Sequence, residues 1–243
     1  MKDFVARPGL GLLALVGAAL ALSSCGEIVQ PPRALPLERP AFTVVTAQSL
    51  MARFVSLGTS NSQGVQSAGI SAAGQRAAWP AQLARRAGVA YDVPVIQNPG
   101  CNPPLLPPLA VNLVLVGAFG DDLVSAIMTT CAPLASGVTL PASNLAISGA
   151  KARDALNSTI ASVALLSARK AELYRRVLLP GQTQVTAMLA KQPTFVSVEL
   201  AANEVLPAST GRIAAMTPFG DWRPMYDAIL NAVKSTGAGA VLV

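Results

Sequence analysis

Apolar runs of strand length alternate along the chain with segments whose apolar residues recur at helical spacing. The runs lie at 54–57, 143–148 and 195–200, and a fourth begins at 240. Short apolar runs bounded by turn residues are typical of strands buried on both faces in a parallel sheet. The pattern therefore predicts an α/β fold with three α/β/α layers, in which helices cover both faces of a parallel sheet.

Apolar residues at helical spacing predict helices between these runs. One helix covers 79–87 and is ended by Gly88. A long helix is expected over 150–179, up to the break at Pro180-Gly181, and a further one over 183–191. The last helix carries apolar residues at 225, 229, 230 and 233, and Gly237 is expected to end it.

The N-terminus has the pattern of an export signal. Lys2 and Arg7 precede an apolar run over 10–22, which is shorter than the roughly 20 residues that span a bilayer. The following Ser-Ser-Cys, which ends at Cys25, resembles the bacterial lipoprotein box. The resemblance implies that residues 1–25 form a lipoprotein signal peptide, and that Cys25 becomes the lipidated first residue of the mature chain.

This interpretation predicts an exported protein of the bacterial envelope. Gly26 follows the cysteine and no inner-membrane-retention aspartate is present, which favours the outer membrane or the periplasmic side. The lipid would anchor the chain to a membrane that it does not cross. An ordinary signal peptide, with Cys25 incidental, is the alternative.

The remaining chain divides by composition into a tether and a domain. Residues 26–43 contain four prolines and are predicted to be an extended tether, and 44–243 form the domain. A Pro- and Gly-rich stretch over about 98–142 is expected to be an insertion between the first two strands. Its apolar part, 105–116, suits either a lipid-facing lid or packing under a disulfide between Cys101 and Cys131.

Cys101 and Cys131 bracket most of that insertion. In an oxidising compartment they are expected to form a disulfide, and closing a loop of about 30 residues stabilises a fold by roughly 3–4 kcal/mol in the chain-entropy model. Two free thiols are the alternative.

Composition excludes several classes of protein. With 52% apolar and 12% charged residues, the 243-residue chain is not a highly charged disordered protein. It has no histidine, the commonest general base and zinc ligand, and three widely spaced cysteines do not make a zinc ribbon or an iron–sulfur site. The net charge of +6 is scattered, whereas nucleic-acid binding requires a clustered basic surface.

Small polar residues follow three of the predicted strands. Gly58-Thr59-Ser60 follows the first, Ser148-Gly149-Ala150 the second, and Ala201 to Glu204 the third. Ligands of open parallel sheets bind beyond the carboxyl ends of the strands, so these residues are expected to share one rim. A hydroxyl nucleophile, backbone N–H groups and a side-chain amide are the groups that acyl transfer requires.

Three segments in this order resemble the conserved blocks of the SGNH, or GDSL-type, hydrolases. They are FVSLGTSNSQG with the QRAAWPAQLARRAG helix, NLAISGAKARD, and PTFVSVELAANEVL, and the likeness extends from about residue 52 to the end. It implies an SGNH/flavodoxin-like fold and an esterase or lipase with Ser60 as nucleophile. The Ser60 N–H, the Gly149 N–H and the Asn203 amide would form the oxyanion hole. The implied substrate is an ester-containing small molecule or lipid, and no metal or organic cofactor is implied.

The chain departs from the family pattern at several positions. Thr59, Ala201 and Glu204 stand where the family has aspartate, glycine and aspartate. Glu204 is expected to be a surface or capping carboxylate. Each site residue also has an ordinary explanation: Ser60 as a turn serine, Gly149 as a strand-exit glycine and Asn203 as a helix N-cap or a loop residue.

The family's last block, Asp-x-x-His, has no counterpart in these residues. Because the last apolar run, which is expected to be a buried strand, ends at Val243, the chain is expected to be an N-terminal fragment. The C-terminal part of the fold, with the catalytic histidine and its aspartate, would then lie beyond Val243. The alternative is a natural edge strand at Val243 in a non-catalytic envelope lipoprotein that uses the same fold for binding or as a scaffold.

Overall fold

A small parallel sheet lies at the centre of the described part of the chain. The structure is a computed structural model, and it describes residues 46–66, 69–101 and 131–243. Three parallel strands, in the order β1-β4-β5, make the sheet, and a two-stranded antiparallel hairpin, β2-β3, follows β1 in the chain. The strands are β1 (Phe54–Leu57), β2 (Val65–Gln66), β3 (Gly69–Ile70), β4 (Phe195–Val198) and β5 (Gly239–Leu242).

Helices flank this sheet, so the described residues form a mixed α/β structure. The helices are α1 (Ala47–Leu50), α2 (Ser60–Gln63), α3 (Ala72–Ala77), α4 (Trp79–Ala87), α5 (Ala152–Asn157), α6 (Ile160–Leu166), α7 (Ala168–Arg175), α8 (Gln184–Ala190), α9 (Ala202–Val205) and α10 (Phe219–Ser235). Two 3₁₀ helices, Leu206–Thr210 and Ile213–Ala215, lie between α9 and α10.

The sheet confirms three of the four predicted strands. Phe54 of β1 lies opposite Phe195 of β4, which in turn lies opposite Gly239 of β5. β5 lies at the edge of the described sheet, and Leu242 is 54% exposed.

The second predicted strand, 143–148, lies beside β1 but is not a regular strand. It forms a single parallel bridge, between Ser56 and Asn144, although Leu145 and Ile147 donate N–H bonds to the carbonyls of Ser56 and Gly58. The Asn144 side chain accepts a hydrogen bond from the N–H of Ala146. Such a local side-chain bond competes with the regular hydrogen bonds between neighbouring strands.

Two clusters of buried side chains pack against the sheet. Phe54 packs with Met51 and with Ala84 of α4, whereas Val55 and Leu57 belong to a larger cluster. That larger cluster also contains residues of α5, α8 and α10. Since neighbouring residues of a strand point to opposite faces, the two clusters cover opposite faces of β1.

The helix predictions are confirmed except for the longest. The helix at 79–87 ends at Gly88, the one at 183–191 is α8, and the C-terminal one is α10. The single helix expected over 150–179 is wrong: α5, α6 and α7 occupy this stretch. Thr159 and Ser167 cap α6 and α7, with hydroxyls that accept the N–H of Ser162 and Lys170, so the chain begins a new helix at each.

The expected disulfide between Cys101 and Cys131 is present. Cys101 pairs with Ile70 of β3, and the Arg176 side chain donates hydrogen bonds to the carbonyls of Cys131 and Ala132. Both cysteines are therefore joined to other described residues of the domain.

Several predictions fall outside the described residues. They are the signal peptide at 1–25 with Cys25, the tether at 26–43, and the apolar stretch at 105–116. Within the described ranges, no helix is both long enough and apolar enough to cross a membrane.

Candidate functional site

The strand order places a topological switch point between β1 and β4. From β1 the chain passes to the 143–148 segment on one side, and from there to β4 on the other side. In open parallel sheets, ligands bind beyond the carboxyl ends of the strands at such a point. Ser60 follows β1 and Asn203 follows β4, so both lie at this rim.

Ser60 is the first residue of α2 and is partly exposed, between the buried Thr59 and Ser62. Its N–H belongs to the first turn of the helix, where no intrahelical acceptor is available. Neither this N–H nor Ser60 Oγ forms a hydrogen bond with any residue that the structure describes.

Gly149 lies at the same rim in a left-handed conformation. Its φ is +78°, which favours glycine, although a Cβ there would meet no atom within 4 Å. Its position is tied to the Ser60 turn, because the N–H of Ser148 donates to Gln63 Oε1 of α2 at 2.8 Å. In the described structure the Gly149 N–H has no acceptor.

Asn203, which follows β4 in the chain, contacts the turn that contains Gly149. It lies inside α9, whose N-cap is Ala201, so the helix-cap explanation is wrong. Its Nδ2 donates to the carbonyl oxygen of Ala150 at 2.7 Å. An amide nitrogen has two N–H groups, so one remains available.

Hydrogen bonds thus join the three predicted site residues into one rim. Ser60, Gly149 and Asn203 are partly or fully exposed and keep N–H donors that no described residue accepts, whereas Gln63, which links α2 to the Gly149 turn, is buried. Such donors can bind a carbonyl oxygen or an oxyanion at the rim that carries Ser60.

Sequence patterns did not single out Glu199. This residue directly follows β4, is 6% exposed, and accepts hydrogen bonds from Thr59 and Ser62. The only signal in the sequence is a carboxylate immediately after an apolar strand, at the edge where ligands bind.

Glu204 was expected to be either a surface or a capping carboxylate, and at 3% exposure it is not a surface residue. The capping role is confirmed: Oε1 accepts the N–H of Ala152, the first residue of α5, at 2.6 Å. The positive end of the helix dipole stabilises a carboxylate at the N-terminus of α5. Burial, and then the charge of Glu204, raise the pKa of Tyr226 above its usual value.

The described residues contain no group of three or more histidine, cysteine, aspartate or glutamate side chains that could hold a metal ion. Comparison of the chain with protein-family models, with curated proteins and with solved structures gives no match. The geometry of the rim is therefore the basis for a functional conclusion.

Proposed function

We propose that this protein is a carboxylic ester hydrolase of the SGNH type, with Ser60 as its nucleophile. The observation that carries the proposal is a set of three N–H donors on the rim that carries Ser60, which have no acceptor among the described residues: the N–H groups of Ser60 and Gly149, and one N–H of Asn203. Each such donor lowers the barrier of acyl transfer by about 3–4 kcal/mol.

The fold supports the same proposal. A switch point between β1 and β4 and core clusters on opposite faces of β1 are features of a three-layer α/β/α, flavodoxin-like domain. We also propose an envelope lipoprotein, anchored through Cys25. The Cys101–Cys131 disulfide favours an oxidising compartment.

In the proposed reaction, Ser60 Oγ forms a bond to the carbonyl carbon of the ester, and the carbonyl oxygen becomes an oxyanion held by the three donors. The alcohol leaves with a proton, and water then releases the acid from the acyl-serine. A general base must take the proton of Ser60. The chain has no histidine, so a histidine base would have to come from outside these 243 residues.

The test is hydrolysis of p-nitrophenyl esters by the protein expressed from its complete gene. Ser60→Ala removes the nucleophile and is expected to lower kcat by at least about a thousandfold. Ser235→Ala is the matched control, because Ser235 is exposed at the C-terminal end of α10, away from the three strand ends that carry the candidate site residues in the chain. Equal activity of Ser60→Ala and the wild type would refute the proposal.

A second candidate function is supported by one observation. Ser60 Oγ has no hydrogen-bond partner among the described residues, and so no base that would activate it. A non-catalytic envelope lipoprotein could use the same donors to bind a carbonyl or carboxylate group. Absence of Ser60-dependent ester hydrolysis in the complete protein, together with binding of such a ligand, would favour this function.

A further inference from the structure

A buried carboxylate holds the turn that carries Ser60. Glu199 Oε2 accepts the N–H of Thr59 at 2.9 Å, the N–H of Ser62 at 3.3 Å and the Ser62 hydroxyl at 3.0 Å. Its other oxygen, Oε1, accepts the Thr59 hydroxyl at 2.8 Å. Both carboxylate oxygens are thus occupied by donors on either side of Ser60.

The same turn is fixed from its other side. Trp79 Nε1 donates to Ser62 Oγ at 3.1 Å, and Asn144 Nδ2 donates to the Ser62 carbonyl oxygen at 2.8 Å. All of these bonds are made by Thr59 and Ser62. The hydroxyl and the N–H of Ser60 itself have no hydrogen-bond partner within the described part of the chain.

We propose that Glu199 is a positioning residue, which holds the Thr59–Ser62 turn so that Ser60 presents its Oγ and its N–H to the same carbonyl group. This inference rests on the proposed esterase function. An ionised carboxylate has about four acceptor sites, which matches the four donors, and such charge-assisted bonds are stronger than neutral ones. Exact placement of a nucleophile matters because a shift of about 1 Å can reduce a rate by about a hundredfold.

Glu199→Gln tests the charge without removing the side chain. Its amide oxygen can still accept the two backbone N–H groups, and its nitrogen can donate to Thr59 Oγ1, so the fold is expected to remain. The kcat for a p-nitrophenyl ester is expected to fall about 10- to 100-fold, with KM changed less than about twofold. Glu172→Gln, a half-exposed glutamate on α7 that pairs with Arg175, is the matched control and is expected to change neither constant.

Amide hydrogen exchange gives a second readout that does not depend on activity. A neutral amide oxygen holds the N–H groups of Thr59 and Ser62 more weakly than a carboxylate does, so exchange at these two amides is expected to be at least tenfold faster in Glu199→Gln than in Glu172→Gln. Unchanged exchange at these amides would overturn the proposal, and so would an unchanged kcat in an active protein. If the wild type hydrolyses no ester, the proposed function fails, and exchange alone then decides whether Glu199 holds the turn.

Discussion

At the scale of single residues, Gly58 shows how closely the Ser60 turn packs. A Cβ built on Gly58 would lie 2.5 Å from Ser62 Oγ and 2.6 Å from Ser62 Cβ, closer than real Cβ contacts. It would also lie 3.2 Å from Glu199 Oε2. Glycine is therefore required at position 58 because a side chain there would clash with Ser62. Its backbone conformation does not require glycine, because its φ is not in the left-handed region.

Gly58→Ala is expected to lower the free energy of unfolding by about 1–3 kcal/mol, because Ser62 must move and its bond to Glu199 must lengthen. Urea unfolding measures this change. Gly220→Ala is the control: Gly220 lies in the first turn of α10 with no atom within 4 Å of a Cβ, so its replacement is expected to be neutral or slightly stabilising. Equal stability of the two variants would contradict this account of the turn.

At the scale of elements, hydroxyl groups connect β1, β4 and the loop after α4. Ser56 Oγ accepts from the hydroxyl of Tyr91 at 2.7 Å and from that of Ser197 at 2.9 Å. Ser56 and Ser197 are fully buried and lie opposite each other in the sheet. The Tyr91 ring stacks on Phe54 with its centroid 4.9 Å away. The hydroxyl groups of Ser56, Ser197 and Tyr91 are thus hydrogen-bonded to one another.

The Tyr91 contacts predict loss of stability at alkaline pH. Burial raises the pKa of Tyr91 well above its usual value, and the hydrogen bond to Ser56 opposes this only in part. Above about pH 10 the unfolded chain loses the tyrosine proton while the folded chain keeps it, so the free energy of unfolding falls as pH rises, by up to about 1.4 kcal/mol per pH unit for this group.

Urea unfolding between pH 8 and pH 11 checks this dependence. Tyr91→Phe is expected to be less stable at pH 8, because a hydrogen bond is lost, but to lose less stability between pH 9.5 and pH 11 than the wild type. Tyr226→Phe, which replaces a partly exposed tyrosine on α10, is expected to change the slope less. Identical pH slopes for Tyr91→Phe and the wild type would show that the Tyr91 hydroxyl titrates normally.

At the scale of the whole molecule, local patterns predicted β1, β4, α4, α8 and α10. In these segments the apolar spacing and the turn residues agree with the tertiary structure. The stretch over 150–179 was not predicted as three helices, because apolar spacing outweighed the capping signals of Thr159 and Ser167.

Part of the candidate site could not be found from sequence. The strand-end rule identified Ser60, Gly149 and Asn203, since it depends only on where apolar runs end. The roles of Glu199 and Glu204 depend on partners that lie far away in the chain: Glu199 is 140 residues from Thr59, and Glu204 is 52 residues from Ala152. Local composition gives no signal for such contacts, and a carboxylate after a strand is normally expected in solvent.

The most direct test of the whole account is labelling of the complete protein by a fluorophosphonate, followed by mass spectrometry of its peptides. This reagent requires a serine hydroxyl that is activated and lies beside an oxyanion hole. We predict a single modified residue, Ser60, and loss of labelling in Ser60→Ala but not in Ser235→Ala. An unmodified Ser60 in the folded, complete protein would contradict the assignment of this rim as an active site.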